Sequence, residues 1–278
     1  MNADTSGAVG EAGRGPTELR ARALQALRIA EPQARCDAVR ELAAFVAEVD
    51  CEARFVEPPG VPGRPQRPLL VAPGALAQRS IHTAEGRAAL LHALAHIEFN
   101  AIGLALDHIW RFAGLPAAYY RDWARVAAEE AVHFTLLRDR LREGGRDYGD
   151  FPAHDGLWEM ARRTADDALD RMALVPRTLE ARGLDASPAV RAKFAAAGDE
   201  ASARIVDRIL EDEIGHVAVG NRWFHHLCAL RGLDPDEAHR LAVLRCRAPG
   251  QRGEINVAAR LRAGFSAREL ERMREWGM

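Results

Sequence analysis

The sequence predicts an all-α fold, a four-helix bundle with extra helices before it and a helical extension after it. Its composition favours helix over sheet, because alanine, leucine, arginine and glutamate are abundant while only three tyrosines and nine phenylalanines occur among 278 residues. Four long stretches repeat apolar residues every three or four positions, which is the spacing of amphipathic helices. The alternating pattern of strands is almost absent, and Leu69–Val71 alone indicates a short extended piece.

The first 80 residues are predicted to lie outside the bundle. Residues 1–15 are rich in glycine and alanine and carry no pattern, so we expect them to be disordered. Within residues 16–80, two amphipathic helices are expected over 17–30 and 33–48, divided at Pro32. The remainder is a proline-rich connection that we expect to be extended and irregular.

Residues 81–232 are expected to form the bundle. Its third predicted helix contains Pro176 and ends at Gly183, and glycines also follow the first and second helices. Ser187 and Pro188 are an N-cap and N1 pair, so they predict the start of the fourth helix. In order, the four helices are expected at Thr83–Phe112, Ala117–Glu143, Gly156–Arg182 and 187–231.

Residues 233–278 are expected to form the C-terminal extension, with helices over Asp236–Cys246 and Ser266–Trp276. Arginines concentrate in this part of the chain. Because the whole chain carries a net charge of −2, we interpret this concentration as a solvated surface or an oligomer contact rather than a nucleic-acid site. The arginines concerned are Arg240, Arg245, Arg247, Arg252, Arg260 and Arg262.

The cellular location is predicted from cysteine usage and apolar runs. The four cysteines form no Cys-x-x-Cys pair and no dense framework, so we expect reduced thiols. The N-terminus lacks the apolar stretch of a signal peptide, and no run approaches about 18 uninterrupted apolar residues. We therefore expect a cytoplasmic protein without a membrane partner.

The most informative pattern is a duplicated motif in which a glutamate precedes a Glu-x-x-His segment. The first glutamate lies 32 or 33 positions before the second, and equivalent residues of the two copies lie 82 or 83 positions apart. Residues i and i+3 share a helix face, so each Glu-x-x-His segment can serve one metal ion. In dinuclear iron or manganese sites, the inward-pointing ligands come from four helices, two with a single glutamate each and two with a Glu-x-x-His segment each. The six candidate ligands are Glu98, Glu130 and His133 in the first copy, and Glu180, Glu213 and His216 in the second.

Each candidate ligand lies in an apolar stripe that is expected to face the bundle core. A buried carboxylate without a partner costs several kcal/mol, so four of them require protonation or metal coordination. The four glutamates carry −4 and the two neutral histidines carry nothing, so two divalent ions would balance the charge. Mixed carboxylate and imidazole ligands suit iron or manganese better than a structural zinc site. We therefore expect two iron ions, with manganese as the alternative metal.

Other interpretations of these residues compete with the metal site. A single Glu-x-x-His segment is common in helices, and a kink at Pro176 would rotate the face that carries Glu180. Glu129, Glu211 and Asp212 lie about 100–200° around their helices from the ligands, so we expect them to face solvent.

The remaining histidines are interpreted separately. His92 and His96 form an i, i+4 pair that faces away from the ligands, so roles behind the ligands or at the surface are favoured over metal binding. His154 belongs to a loop that either covers the mouth of the bundle or simply packs against it. His225 and His226 lie more than two turns beyond the ligands and are expected to be structural.

Five blocks of the chain carry a family resemblance. They are HIEFNAIGLALDHIWRF (96–112), RDWARVAAEEAVHFTLL (121–137), YGDFPAHDGLWE (148–159), RMALVPRTLEARGLD (171–185) and ILEDEIGHVAVGNRWF (209–224). They resemble the DUF455 family of ferritin-like bacterial proteins, strongly over 80–230 and more loosely on both flanks. The resemblance implies a ferritin-like bundle whose carboxylate-bridged di-iron ligands are the six residues named above, and it implies no settled reaction.

Three functions are compatible with such a site. We expect a non-haem di-iron oxidoreductase that activates dioxygen and oxidises or hydroxylates an organic substrate, with a small-molecule substrate and an electron donor as partners. One alternative is iron or peroxide handling of the ferritin or rubrerythrin kind, although the chain lacks a Cys-x-x-Cys pair for a rubredoxin centre and has large terminal segments. Another is a metal-stabilised binding protein without turnover. Homo-oligomer formation stays open.

Overall fold

Helices make up the regular structure of this chain. The computed structural model describes residues 18–44, 48–250 and 253–276. Within these ranges the β pairing consists of two isolated bridges, so the all-α prediction is confirmed. One bridge joins Leu70 to Ala153 and agrees with the extended piece expected there. The disorder predicted for residues 1–15 lies outside the described ranges.

Two N-terminal helices, a group of long and interrupted helices, and three C-terminal helices follow one another along the described chain. They are α1 (Leu19–Arg28), α2 (Pro32–Ala44), α3 (Ala84–Arg111), α4 (Ala117–Glu143), α5 (Gly156–Arg163), α6 (Ala168–Leu174), α7 (Ala181–Ala196), α8 (Glu200–Arg231), α9 (Pro235–Arg245), α10 (Val257–Arg262) and α11 (Ala267–Glu275). A 3₁₀ turn, Pro73–Ala75, precedes α3, and a π-helical segment, Val175–Glu180, joins α6 to α7.

The bundle is built from two helix pairs. α3 packs along α4, α7 packs along α8, and contacts between α4 and α8 join the pairs. Both α3 and α4 have the bounds that the sequence predicts, to within one residue. α1 lies on α3 and α2 lies on α4. Arg20 of α1 is fully buried and donates to the carbonyls of Ile109 (3.1 Å) and Trp110 (3.0 Å), so it supplies partners to the C-terminal end of α3.

The third and fourth predicted helices have other bounds than expected. The span Gly156–Arg182 is not a single helix, because it is interrupted between α5 and α6. Gly183 does not end it either, since α7 continues to Ala196. The N-cap prediction for Ser187 and Pro188 is wrong, because both residues lie inside α7.

Pro188 is tolerated inside α7 because a side chain replaces the hydrogen bond that it removes. A proline cannot donate to the carbonyl four residues earlier. That carbonyl, of Leu184, instead accepts from Asn256 Nδ2 at 3.1 Å. The fourth helix begins at Asp199, whose Oδ1 accepts from the backbone N–H of Ser202 at 3.1 Å and caps α8.

The π-helical segment carries the proline that the sequence places inside the third helix. Pro176 has no N–H to donate, and the irregular turn accommodates this loss. The ring lies against Gly220 of α8, where an added Cβ would come within 2.6 Å of the proline Cγ. Despite this irregularity, Glu180 still directs a buried carboxylate oxygen into the bundle.

In the C-terminal extension, α9 packs on α6 and α8, and α10 packs on α7 and α8. α10 is a helix that the sequence reading did not predict, and α11 begins with a capping box between Ser266 and Glu269. Buried Arg177 of the π-helical segment donates to Glu269 at 2.5 Å, which ties the extension to the bundle. The apolar contact is formed by Ala181, Leu184, Ile214, Val217, Ala259, Ala263, Phe265, Leu270 and Met273.

The arginine concentration is largely paired with acidic residues. Arg260 is buried, so the solvated-surface interpretation is wrong for that residue, and Arg252 lies outside the described ranges. The ion pairs are Arg240–Glu237, Arg245–Asp170, Arg260–Asp185 and Arg262–Glu211.

α3 is long and apolar enough to cross a bilayer by length and composition, but 72% of its most apolar window is buried inside the protein. This is how the core helix of a soluble protein behaves. The four cysteines are free, in agreement with the predicted thiols. The cytoplasmic location stays a prediction.

Candidate metal centre

Four elements bring the six predicted ligands to one place in the bundle. α3 contributes Glu98, the π-helical segment contributes Glu180, and the two Glu-x-x-His segments lie on α4 and α8. In the latter two segments, one donor atom from each glutamate and histidine lies within 4.8 Å of the others, so the cluster could hold a metal ion. Glu98 Oε2 lies 3.3 Å from the α4 imidazole, and all four glutamates line one cavity.

Both imidazoles direct Nδ1 towards the shared carboxylates. His216 Nδ1 lies 2.9 Å from Glu130 Oε1 and 3.2 Å from Glu213 Oε2. His133 Nδ1 lies 3.2 Å from Glu130 Oε2. The two oxygens of Glu130 therefore serve one histidine each, which places this carboxylate between the two halves of the site.

The outer nitrogen of each imidazole is held by an acid from the opposite half. His133 Nε2 donates to Asp212 Oδ2 of α8 at 3.1 Å. His216 Nε2 donates to Glu129 Oε2 of α4 at 2.8 Å. Such a contact fixes the ring orientation and directs the other ring nitrogen towards a metal.

The prediction that these two acids face solvent is wrong. Glu129 and Asp212 are partly exposed, but they do not simply face solvent, because each contacts a candidate ligand. Glu211 is exposed and pairs with Arg262, as a solvent-facing residue would. The sequence contains a signal for this role, because in both copies an acid immediately precedes the glutamate of the Glu-x-x-His segment. The two acids lie 83 positions apart.

Burial and the charges of neighbouring groups control the pKa values of the four glutamates. Burial raises the pKa of Glu98 and Glu213, and the nearby charge of Glu130 raises both further. Burial likewise raises the pKa of Glu180 well above its ordinary value, helped by the charge of Glu213. For Glu130 burial acts in the same direction, but the two histidines outweigh it and hold the pKa below its ordinary value. On its own, the cluster therefore retains protons.

The neighbouring carboxylates raise the pKa values of both imidazoles, against the effect of burial. Burial would lower the pKa of His133, yet Glu130 and Glu98 raise it to about 11. The pKa of His216 also lies well above its ordinary value, because Glu130 and its neighbouring acids outweigh burial. Cations are thus strongly favoured between these carboxylates.

This donor set could hold metal. Carboxylates and imidazoles bind iron or manganese in their deprotonated forms, so the ions would displace the protons that the cluster retains. Glu180 Oε2 is buried and has no hydrogen-bond partner among the described residues, as expected of an oxygen reserved for a metal. The count of two divalent ions stays a prediction, because Glu129 and Asp212 add two carboxylates beside the histidines.

A cavity of about 370 Å³ opens beside the cluster, with α3 on one side and α7 on the other. Pro152, Ala153 and His154 line one edge of it. The loop that carries them therefore covers part of the bundle mouth, which is one of the two roles considered for His154.

His92 and His96 fasten this loop to α3. His92 Nε2 accepts from the backbone N–H of Gly149 at 2.9 Å. His96 accepts from the Tyr148 hydroxyl at Nδ1 (2.9 Å) and donates from Nε2 to the carbonyl of His154 (3.0 Å). Both histidines are buried, so a surface role is wrong for them.

His225 and His226 have contacts away from the cluster, in agreement with structural roles. His225 Nε2 lies 3.3 Å from Glu269 at the start of α11. His226 packs edge-on against Trp223, with 5.3 Å between the ring centroids.

Comparison with known proteins identifies the family. The family model described as "Protein of unknown function (DUF455)" matches residues 28–271. The chain belongs to the DUF455 family. This DUF455 match covers all six candidate ligands and both outer acids, and it confirms the DUF455 part of the resemblance, while the ferritin-like part stays a prediction. An uncharacterized protein of Haemophilus influenzae is 46% identical over 259 residues, which is 88% of this chain and 90% of the relative. No solved structure matches the chain.

Proposed function

We propose that this chain is a non-haem di-iron oxidoreductase of the ferritin-like type, which uses dioxygen to oxidise or hydroxylate a small organic substrate. One observation carries the proposal: two imidazoles direct Nδ1 at the carboxylates of Glu98, Glu130 and Glu213, while acids from the opposite half hold their outer nitrogens. Four helices with one glutamate or one Glu-x-x-His segment each are the ligand plan of di-iron and di-manganese carboxylate bundles.

The positions of the candidate ligands indicate separate roles for the bridging glutamate and the two histidines. Glu130, which contacts both histidines, is placed to bridge the two halves of the site. His133 and His216 would each serve one half, held in orientation by Asp212 and Glu129. When bound, two iron ions would supply the redox chemistry of dioxygen, which no side chain here supplies. The bundle interior would exclude water from that chemistry.

The cavity distinguishes this proposal from iron storage. A space of about 370 Å³ bordered by all four glutamates is large enough for an organic molecule next to the site. Storage of mineral iron requires no such apolar space. Electrons would come from a separate donor, since the four cysteines provide no paired thiols for a second iron centre.

Metal analysis tests the proposal directly. Protein expressed with iron supplementation is expected to contain close to two iron ions per chain. Glu130→Ala should lower the occupancy of both positions, because Glu130 contacts both histidines. Glu143→Ala is the matched control, since Glu143 lies on the same helix with its side chain 64% exposed. A folded wild-type protein that cannot be loaded with metal would refute the proposal.

Reaction with oxygen separates the three functions. The reduced, iron-loaded protein is expected to consume dioxygen rapidly, as followed by optical and Mössbauer spectroscopy. Inertness with both metals present would favour a binding protein without turnover. Deposition of ferric mineral would favour iron handling instead.

A further inference from the structure

We infer that the cavity between α3 and α7 binds an uncharged, apolar organic molecule and holds it against the carboxylate cluster. This inference rests on the proposed function, because it names the substrate class of that same site. Its support comes from the lining of the cavity, from the hydrogen bonds of the polar groups in its walls, and from the charge at its base.

Apolar side chains form most of the cavity wall. They come from both sides of the bundle and from the connection before α3, and the volume of about 370 Å³ suits a small organic molecule. Burial of apolar ligand surface would supply the affinity. The apolar residues include Leu94, Ile97, Leu104, Leu179, Val206 and Ile209.

The polar groups on the α3 side already have partners within the protein. His96 uses both ring nitrogens, one with the Tyr148 hydroxyl and one with the His154 carbonyl. Asn100 Nδ2 donates to the carbonyl of His96 at 2.7 Å. The His154 ring accepts from the backbone N–H of Gly156 at 3.2 Å. These hydrogen bonds hold the polar groups in the wall of the cavity.

Two polar side chains on the α7 side also donate to backbone carbonyls. Arg182 Nη2 donates to the carbonyls of Pro249 and Gly250, so the guanidinium fastens the segment after α9. Ser187 Oγ donates to the carbonyl of Gly183 at 2.7 Å, within its own helix. A ligand with many hydrogen-bonding groups would leave them unpaired in this cavity, at a cost in affinity.

The base of the cavity selects against anions. Glu98, Glu130, Glu180 and Glu213 border it, so the base presents carboxyl oxygens rather than cationic side chains to a negative ligand. With two divalent ions the base becomes neutral and offers no net attraction for a charged ligand. An uncharged molecule is compatible with both the metal-free and the metal-loaded base of the cavity.

Gly183 provides a way to fill the cavity. It lines the cavity on α7, and the nearest heavy atom to an added Cβ is Glu213 Cγ, 4.0 Å away. Gly183→Leu therefore places a side chain in the space without a backbone clash, and it also removes a helix-disfavouring glycine. Gly215→Leu is the matched control, since Gly215 of α8 is exposed and has nothing within 4 Å of its added Cβ.

Two fluorescent probes with related ring systems test the inference. N-phenyl-1-naphthylamine is uncharged, and 8-anilinonaphthalene-1-sulfonate adds a sulfonate to the same rings. Titrations with both metal-loaded and chelator-treated protein are expected to show the uncharged probe binding roughly tenfold more tightly or better. Gly183→Leu should weaken its binding by roughly tenfold, and Gly215→Leu should leave it unchanged within about twofold. Ala101→Phe on α3 fills the cavity from the opposite wall if Gly183→Leu fails to fold.

The outcomes separate this inference from the proposed function. Preference for the sulfonated probe, or binding of the uncharged probe that neither filling variant weakens, would overturn the apolar cavity. Protein that loads two ions but binds no probe would overturn the cavity inference alone. Protein that binds the probe as expected but takes up no metal would overturn the proposed function alone.

Discussion

The close approach of Gly220 to Pro176 predicts opposite effects for one substitution at two places on α8. An alanine Cβ at position 220 would meet the proline ring, coming within 2.6 Å of Cγ, whereas an alanine Cβ at Gly215 has nothing within 4 Å. Both glycines lie in the interior of the same helix, five positions apart. The pair therefore isolates the contact with the π-helical segment.

The magnitudes follow from helix propensity and overpacking. Gly215→Ala should stabilise the protein by about 1 kcal/mol, because alanine favours helix over glycine by that amount. Gly220→Ala gains the same, but forcing a carbon into a rigid ring costs about 1–3 kcal/mol. Carbon atoms at 2.6 Å are far inside their preferred separation of about 3.5–4.0 Å, so we expect the upper end of that cost. The two variants should then differ by about 3 kcal/mol.

Thermal unfolding measures this difference. For a chain of this size, 1 kcal/mol corresponds to about 2–4 °C, so the two midpoints should lie roughly 6–12 °C apart, with Gly220→Ala lower. Displacement of Pro176 should also move Glu180, one turn later, so Gly220→Ala should bind less metal than Gly215→Ala. Equal midpoints would show that the π-helical segment does not lie against α8 at this position.

The outer acids, a buried ion pair and acidification give three further predictions. Asp212→Ala should weaken metal binding about 10–100-fold by releasing His133, while Glu211→Ala, its exposed neighbour, should leave binding unchanged in a metal titration. Arg171→Met should destabilise the protein by about 1.5–3 kcal/mol in urea unfolding, because buried Asp107 loses its bond to Arg171 but keeps Arg111 as a partner. An unchanged unfolding free energy would show that Arg111 fully replaces Arg171. Burial would raise the pKa of Asp107, but its arginine partners hold it below the ordinary value, so its stabilisation is complete above about pH 4 and is lost as pH falls through the lower folded pKa. Asp107→Asn should therefore flatten the pH dependence of unfolding free energy below about pH 4, and an unchanged slope would contradict this.

The sequence predicted the parts of the fold that depend on local pattern. The stripes around Glu98 and Glu130 have a strict three- and four-residue spacing, so the helices that carry them were predicted to within one residue. The duplicated Glu and Glu-x-x-His spacing selected the six residues, which lie close together in the structure. Both results depend on helix geometry alone, which a single sequence contains.

The failures have a common cause in contacts between distant parts of the chain. From local sequence alone, Pro188 predicts a helix start. The helix continues through it because Asn256, 68 positions later, donates to the Leu184 carbonyl that the proline leaves without a partner. Glu129 and Asp212 resemble solvated residues until the neighbouring helix brings a histidine within reach. Local spacing cannot reveal such partners, because it does not say which helices lie side by side.

The exchange of outer acids between the two halves has a bearing on the origin of the fold. Glu129 of the first half contacts His216 of the second, and Asp212 of the second contacts His133 of the first. Reciprocity of this kind, where residue i meets residue j and j meets i, is the mark of a twofold symmetric interface between identical subunits. The two acid-Glu-x-x-His segments are therefore related to each other as the two copies in a symmetric dimer would be, which is the arrangement expected when a half-length unit is duplicated and fused.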